Sequence, residues 1–230
     1  MKILSFLSAL VATATLTASA QTISQWTFEI NTPADATDTN LVAGINADVG
    51  AGVAMGLHSS SASDWTTPAG NGSANSLSVN TWTPGDYFQF RLGTVGYSGI
   101  GVSFDQTSSS TGPRDFDLQY STDGSSFTTF ASYAVLQNGL APNPGWSSGT
   151  YQSAYTFNFN LSSVSALNNA ANVYFRLVNT STFTPGGATV AVGGTDRVDN
   201  FTVYVVPEPT GLAAVGGLLL LAGRRFAQRR

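Results

Sequence analysis

Along the middle of the chain, large apolar residues fall at every second position. In Phe116-Asp117-Leu118-Gln119-Tyr120 the apolar side chains share one face and Asp117 and Gln119 take the other. Tyr155, Phe157 and Phe159 alternate with Thr156 and Asn158 in the same way. A period of two is the mark of a half-buried strand, and no convincing helical stripe interrupts it between Gln21 and Val206. Strands are predicted over 23–30, 87–92, 100–105, 116–121, 127–133, 155–161, 173–179 and 197–205. Asp123-Gly124 lies between two of them and predicts a two-residue hairpin turn, because that turn needs positive φ. Residues 162–171 predict a short helical turn. The glycine-rich stretch 32–84 predicts long loops with short edge strands, and 139–149 predicts a further loop. About eight strands with turn-rich links and no helices between them specify an all-β fold, a two-sheet antiparallel jelly-roll sandwich.

Both ends of the chain break this pattern. Lys2 precedes an apolar stretch over 3–16, and Ala18-Ser19-Ala20 offers the small side chains that a signal peptidase accepts. Residues 1–20 therefore read as a cleaved secretory signal peptide, and 21–206 as the folded body. After Val206 the texture changes again. Pro207-Glu208-Pro209 is a rigid breaker, 211–223 is an uncharged run of Gly, Leu, Ala and Val, and Arg224, Arg225, Arg229 and Arg230 follow. Breaker, apolar run and arginine cluster, in that order, closely resemble the PEP-CTERM sorting signal of exported bacterial proteins. The run is shorter than the ~20 residues that span a bilayer. The resemblance implies an exosortase-type membrane protease as partner, transient membrane association through 207–230, and removal of that tail. It also implies delivery to the cell envelope, the surface or the extracellular polymer.

The body carries four arginines (Arg91, Arg114, Arg176, Arg197), no lysine and twelve carboxylates, a net charge of −8. Nucleic-acid binding needs clustered cations, so that class of partner is set aside. Cations, neutral sugars and other uncharged polymers suit such a surface better. Cysteine is absent, which removes disulfides, thiolate metal sites and a cysteine nucleophile together. Catalytic sets are sparse as well. His58 is the sole histidine and sits in Gly56-Leu57-His58-Ser59-Ser60 without a nucleophile elbow, so it reads as a solvated loop residue. Glu29 is the sole glutamate of the body, and no particular aspartate stands out as its partner for glycoside hydrolysis.

Two body segments carry a looser resemblance. Residues 116–127 look like the hairpin of galactose-binding-like jelly rolls, and Arg197-Val198-Asp199-Asn200-Phe201-Thr202-Val203 looks like the last strand of carbohydrate-binding jelly rolls. In that group a structural Ca²⁺ often joins the first strand to the last. The resemblance thus implies a Ca²⁺ site built on Glu29 and Asp199, with Asp35 and Asp38 completing an oxygen shell. Trp26 alternates with Phe28 and belongs to the core. Trp65, Trp82 and Trp146 lie in or beside loops, where an indole either anchors the loop or stacks on a sugar. Trp65 and Trp146 are the candidates for a sugar platform. The expectation is a non-catalytic exported surface or matrix protein associated with exopolysaccharide. A carbohydrate-binding module is the alternative, with a jelly-roll glycoside hydrolase or lyase behind it.

Overall fold

A computed structural model describes residues 20–207. In chain order its strands are β1 (Gln21–Trp26), β2 (Leu41–Asn46), β3 (Val49–Gly50), β4 (Val53–Leu57), β5 (Trp65–Thr66), β6 (Leu77–Val79) and β7 (Tyr87–Leu92). Then come β8 (Ile100–Ser108), β9 (Asp115–Ser121), β10 (Thr128–Ala134), β11 (Thr156–Asn160), β12 (Val173–Asn179) and β13 (Asp196–Val205). Each strand expected from the alternation is present, although the first, expected over 23–30, ends at Trp26, before Phe28 takes positive φ. The two short 3₁₀ turns are Ser153–Tyr155 and Ser165–Leu167, the second inside the predicted 162–171. The segments read as signal peptide and sorting tail lie outside the described residues, apart from Ala20 and Pro207 at their borders. Among the described residues no helix is long and apolar enough to cross a membrane.

The strands form two antiparallel sheets in a jelly-roll sandwich. One sheet runs β10-β9-β12-β7-β4-β2. The other runs β11-β8-β13-β1-β3, and the first half of β13 also pairs with β6, which pairs in turn with β5. Ten-residue β13 is the hinge of the design: β8 flanks it throughout, while β6 and β1 share its other side. The alternating residues of both sheets meet in a core rich in aromatic rings. Phe90 and Phe201, one from each sheet, stack 3.6 Å apart and nearly parallel, and Trp26 meets both edge-on. Such contacts add to the area that the rings bury.

Three details depart from the expectations. The stretch 32–84 holds five strands, and β4 and β6 are interior rather than edge strands. Small residues conceal β4 in the sequence: a Cβ on Gly56 would lie 2.2 Å from the Trp65 ring, so the strand is built around that indole. Next, 122–127 connects β9 to β10 as a six-residue loop, not a two-residue turn. Gly124 alone takes positive φ there, while the Asp123 carboxylate accepts the amides of Ser125 and Ser126 at 2.8 Å each. Those amides hold its pKa well below the usual carboxylate range. Finally, His58 is buried rather than solvated. It packs between Trp65 and Trp82, with Nδ1 3.1 Å from Ser63 Oγ and 3.7 Å from Asp86. Burial pushes its pKa down to about 4 despite the nearby Asp86.

Candidate functional site

The outer face of the β11-β8-β13-β1 sheet carries a polar groove, and its origin is a bulge in β13. Asp199 pairs with Asp105 of β8, but the register resumes only at Thr202 opposite Ser103. Asn200 fills the irregularity at φ 52°, a left-handed conformation that asparagine tolerates better than most residues. The bulge aims Asn200 Nδ2 at both carboxylates, 2.8 Å from Asp105 Oδ2 and 3.3 Å from Asp199 Oδ2.

Asp199 is fully buried beneath the loop 69–75 and holds it in place. It accepts the Asn71 amide at 2.8 Å and the Ser73 hydroxyl at 2.7 Å, together with the Asn200 amide at 2.7 Å. Gly70 makes this approach feasible, since a Cβ there would sit 2.4 Å from Asp199 Oδ2 and 2.1 Å from Ser73 Oγ. Burial raises the Asp199 pKa to about 7. The three hydrogen bonds pull it back, and the neighbouring Asp105 adds to the rise.

A second loop, 146–152, is tied to the first. Trp146 Nε1 donates to Ala69 O at 2.8 Å, and its ring meets Tyr155 edge-on. Asn71 and Gln152 exchange two hydrogen bonds, Nδ2 to the Gln152 carbonyl at 3.0 Å and the Gln152 amide to Oδ1 at 2.9 Å. Gly72 N donates to Ser147 O at 2.8 Å. Between the two loops and the sheet lies a groove of about 420 Å³. Gln25, Ser103, Asp105, Thr156, Asn200 and Thr202 line its floor, and Tyr151 stands at its wall, 54 % exposed. Tyr151 is held by its hydroxyl: the phenol lies 2.6 Å from Thr156 Oγ1, which donates to Asp105 at 2.6 Å. Amides, hydroxyls and one carboxylate beside an open aromatic ring form a surface that hydrogen-bonds hydroxyls and stacks a flat apolar face.

The residues named from the sequence fall elsewhere or take other roles. Trp65 is fully buried, with Nε1 donating to Thr39 O, and Trp146 is 6 % exposed. Neither offers a ring to a sugar; their size and single N–H make them anchors, and Trp146 builds the groove wall from behind. Glu29 is exposed and accepts the Asn75 amide at 2.7 Å, so Glu29 and Asp199 grip the same loop. Asp35 accepts from Thr67, and exposed Asp38 sits at φ 51°. Among the described residues no group of three or more His, Cys, Asp or Glu could hold a metal ion, so these four carboxylates do not gather into one shell. Pro207 borders the described residues, and Glu208, Pro209, Arg224 and Arg225 lie outside them. Sequence reasoning missed Asn71, Ser73, Asp105, Tyr151 and Asn200. The available signal was Asp199-Asn200, two consecutive polar residues between Val198 and Phe201 that break the period-two alternation of the last strand.

No protein-family model matches the chain, and no curated protein matches it. Several solved structures resemble it weakly. The CBM22-1-GH10 modules of an endo-1,4-β-D-xylanase from Clostridium thermocellum, complexed with xylohexaose, are 14% identical, with a TM-score of 0.43. That match covers 80% of this chain and 28% of the other. The K1 cleaved adhesin domain of Lys-gingipain from Porphyromonas gingivalis is 12% identical over 79% of this chain and 97% of its own, with a TM-score of 0.42. A CBM22-2 xylan-binding domain from Paenibacillus barcinonensis is 12% identical over 80% and 99%, with a TM-score of 0.39.

Proposed function

We propose that the body is a non-catalytic carbohydrate-binding module that takes a neutral glycan in the groove between the loops 69–75 and 146–152. The observation that supports this most is the open Tyr151 ring beside a floor of hydroxyl and amide groups fixed by hydrogen bonds to one another. A fixed, partly aromatic surface loses little conformational entropy on binding, which favours affinity for a ligand with few charges. A net charge of −8 suits the same class of ligand. The carboxylate pair favours a structural role over hydrolysis: Asp199 is buried and occupied by the loop it holds. Combined with the end segments, this gives an exported protein, sorted through its PEP-CTERM-like tail by an exosortase-type protease and associated with exopolysaccharide at the cell surface.

The test is titration calorimetry of the purified chain against a panel of neutral polysaccharides. At least one is expected to bind, and Tyr151→Ala to weaken it by about tenfold, the size of a lost stacking contact. Binding unchanged in Tyr151→Ala, or no binding across the panel, removes the groove from consideration. Enzyme-like turnover of any panel member contradicts the non-catalytic reading.

A further inference from the structure

The opposite face of the molecule holds two of the four body arginines. Apolar residues of β7 and β12 point into the core, so Tyr87, Gln89 and Arg91 of β7 and Tyr174 and Arg176 of β12 point outward from the six-stranded sheet. Arg91 pairs across the ladder with Tyr174 and Gln89 with Arg176, which makes the two arginines diagonal neighbours, roughly 7–8 Å apart at the backbone. Arg176 is built in with care. Its guanidinium lies 3.9 Å from the Tyr87 ring centre and 3.6 Å from that of Phe127, and Nε donates to Gln89 Oε1 at 2.8 Å. Tyr174 stands beside Phe127 edge-on and packs over Gly124.

Neither cation is spent on a carboxylate. Among the described residues the ion pairs within 4.0 Å are Arg114–Asp115 and His58–Asp86. The carboxylates nearest in the sheet are engaged elsewhere: Asp117 accepts from Thr129 and Ser132, and Asp123 from Ser121, Ser125 and Ser126. A guanidinium is planar by delocalisation, and clamping it between rings fixes the orientation of the fork that a carboxylate meets with two parallel hydrogen bonds. Half-buried Tyr174 beside it adds the rest of its ring as an apolar surface for a sugar.

We propose that this face is a second binding site, separate from the groove, for a carboxylate-bearing polysaccharide, with Arg176 and Arg91 taking the uronate groups and Tyr174 the ring between them. Carboxylates on the other faces do not forbid it, because charge repulsion fades beyond about 8 Å at physiological ionic strength, and the nearby Asp117 and Asp123 are occupied by their own hydroxyl and amide donors. The site stands on its own residues and does not require the groove to bind anything.

The experiment compares oligogalacturonate with its methyl ester, and with poly-glutamate as a non-sugar polyanion, on the purified chain. Oligogalacturonate is expected to bind at least about tenfold more tightly than either, the size of one charge-assisted hydrogen bond. Arg176→Lys, which keeps the charge but not the planar fork, and Arg91→Gln at an exposed position are each expected to lose that preference. Unchanged melting curves show that the fold survives, and Tyr151→Ala is expected to leave the binding untouched. Equal binding of the ester or of poly-glutamate overturns the proposal, as does oligogalacturonate affinity that both arginine variants retain. Loss of binding in Tyr151→Ala instead returns the ligand to the groove.

Discussion

Asp199 and His58 are both buried and titratable, and each is displaced from its ordinary range in a direction that makes stability depend on pH. The Asp199 carboxyl is raised to about 7, above its unfolded value near 3.9. The folded state therefore binds this proton more tightly, so the stabilisation is complete below about pH 4 and is lost as pH rises through 7. His58 is lowered to about 4, below its unfolded 6.5, so it contributes above pH 6.5 and its contribution is lost as pH falls through 4. Between pH 4 and 6.5 the two slopes oppose each other. Replacing Asp199 by Asn removes one of them. Relative to the parent chain, the variant is expected to be less stable at pH 4 and to gain ground steadily up to pH 7, by at most roughly 4 kcal/mol across that window. Asp196 is buried and raised in the same sense, but it is common to both chains and cancels in the comparison. Denaturant melts at half-unit pH intervals measure the difference, and a constant offset between the two curves would show that Asp199 does not titrate in that window.

Loops form the groove, and Trp146 reinforces the bonds that Asn71 and Gln152, and Gly72 and Ser147, make between them. Trp146 joins 146–152 to 69–75 through a single Nε1–H bond and supports it by an edge-on contact with Tyr155. Trp146→Phe keeps most of the contact and removes the bond, for an expected loss of about 1 kcal/mol. Trp146→Ala also opens a cavity, for about 3–5 kcal/mol. Neutral-glycan affinity is expected to fall in both, because the wall that holds Tyr151 is fixed by fewer contacts. Stability and affinity in Trp146→Phe that match the parent chain would show that the Nε1–H bond plays no part in holding the groove wall. This coupling marks the limit of what the sequence discloses. Strands carried by bulky alternation, such as Phe116–Tyr120 and the Phe201 segment, were legible because burial on one face imposes a period of two. Strand β4 was not, since Gly56 yields its space to Trp65 and buried Ala54 is small, which leaves little pattern. The groove was hidden for a related reason. Its residues come from five distant segments, and a loop tryptophan looks the same in sequence whether its ring faces a sugar or the protein behind it. Glu29 and Asp199 were expected to share a cation; each instead holds the loop 71–75, Glu29 through the Asn75 amide and Asp199 through the Asn71 amide and the Ser73 hydroxyl.

On the scale of the whole molecule, the first and last strands close the sandwich side by side, with Gln21 opposite Val205. Trp26 and Phe201 meet where they pair, against Phe90 of the opposite sheet. The ladder ends at Val205, and the last backbone bond of the body is Val206 N to Gly99 O at 2.7 Å. Pro207 cannot extend the ladder, having no N–H to donate. Among the described residues the backbone pairing therefore ends at Val206, and the proposed sorting role of 207–230 is testable apart from the fold of the body. Deleting 208–230 is expected to leave the melting temperature of the body within the small range of a neutral surface change, about 0.5 kcal/mol. Export is expected to continue, because residues 1–20 remain, while retention at the envelope and processing are lost. Cell fractionation with mass measurement of the mature chain separates the outcomes. Protein found in the medium with an unfolded body would assign 208–230 to folding instead. A mature mass and location identical to those of the parent would mean that the breaker, apolar run and arginines do not direct its sorting.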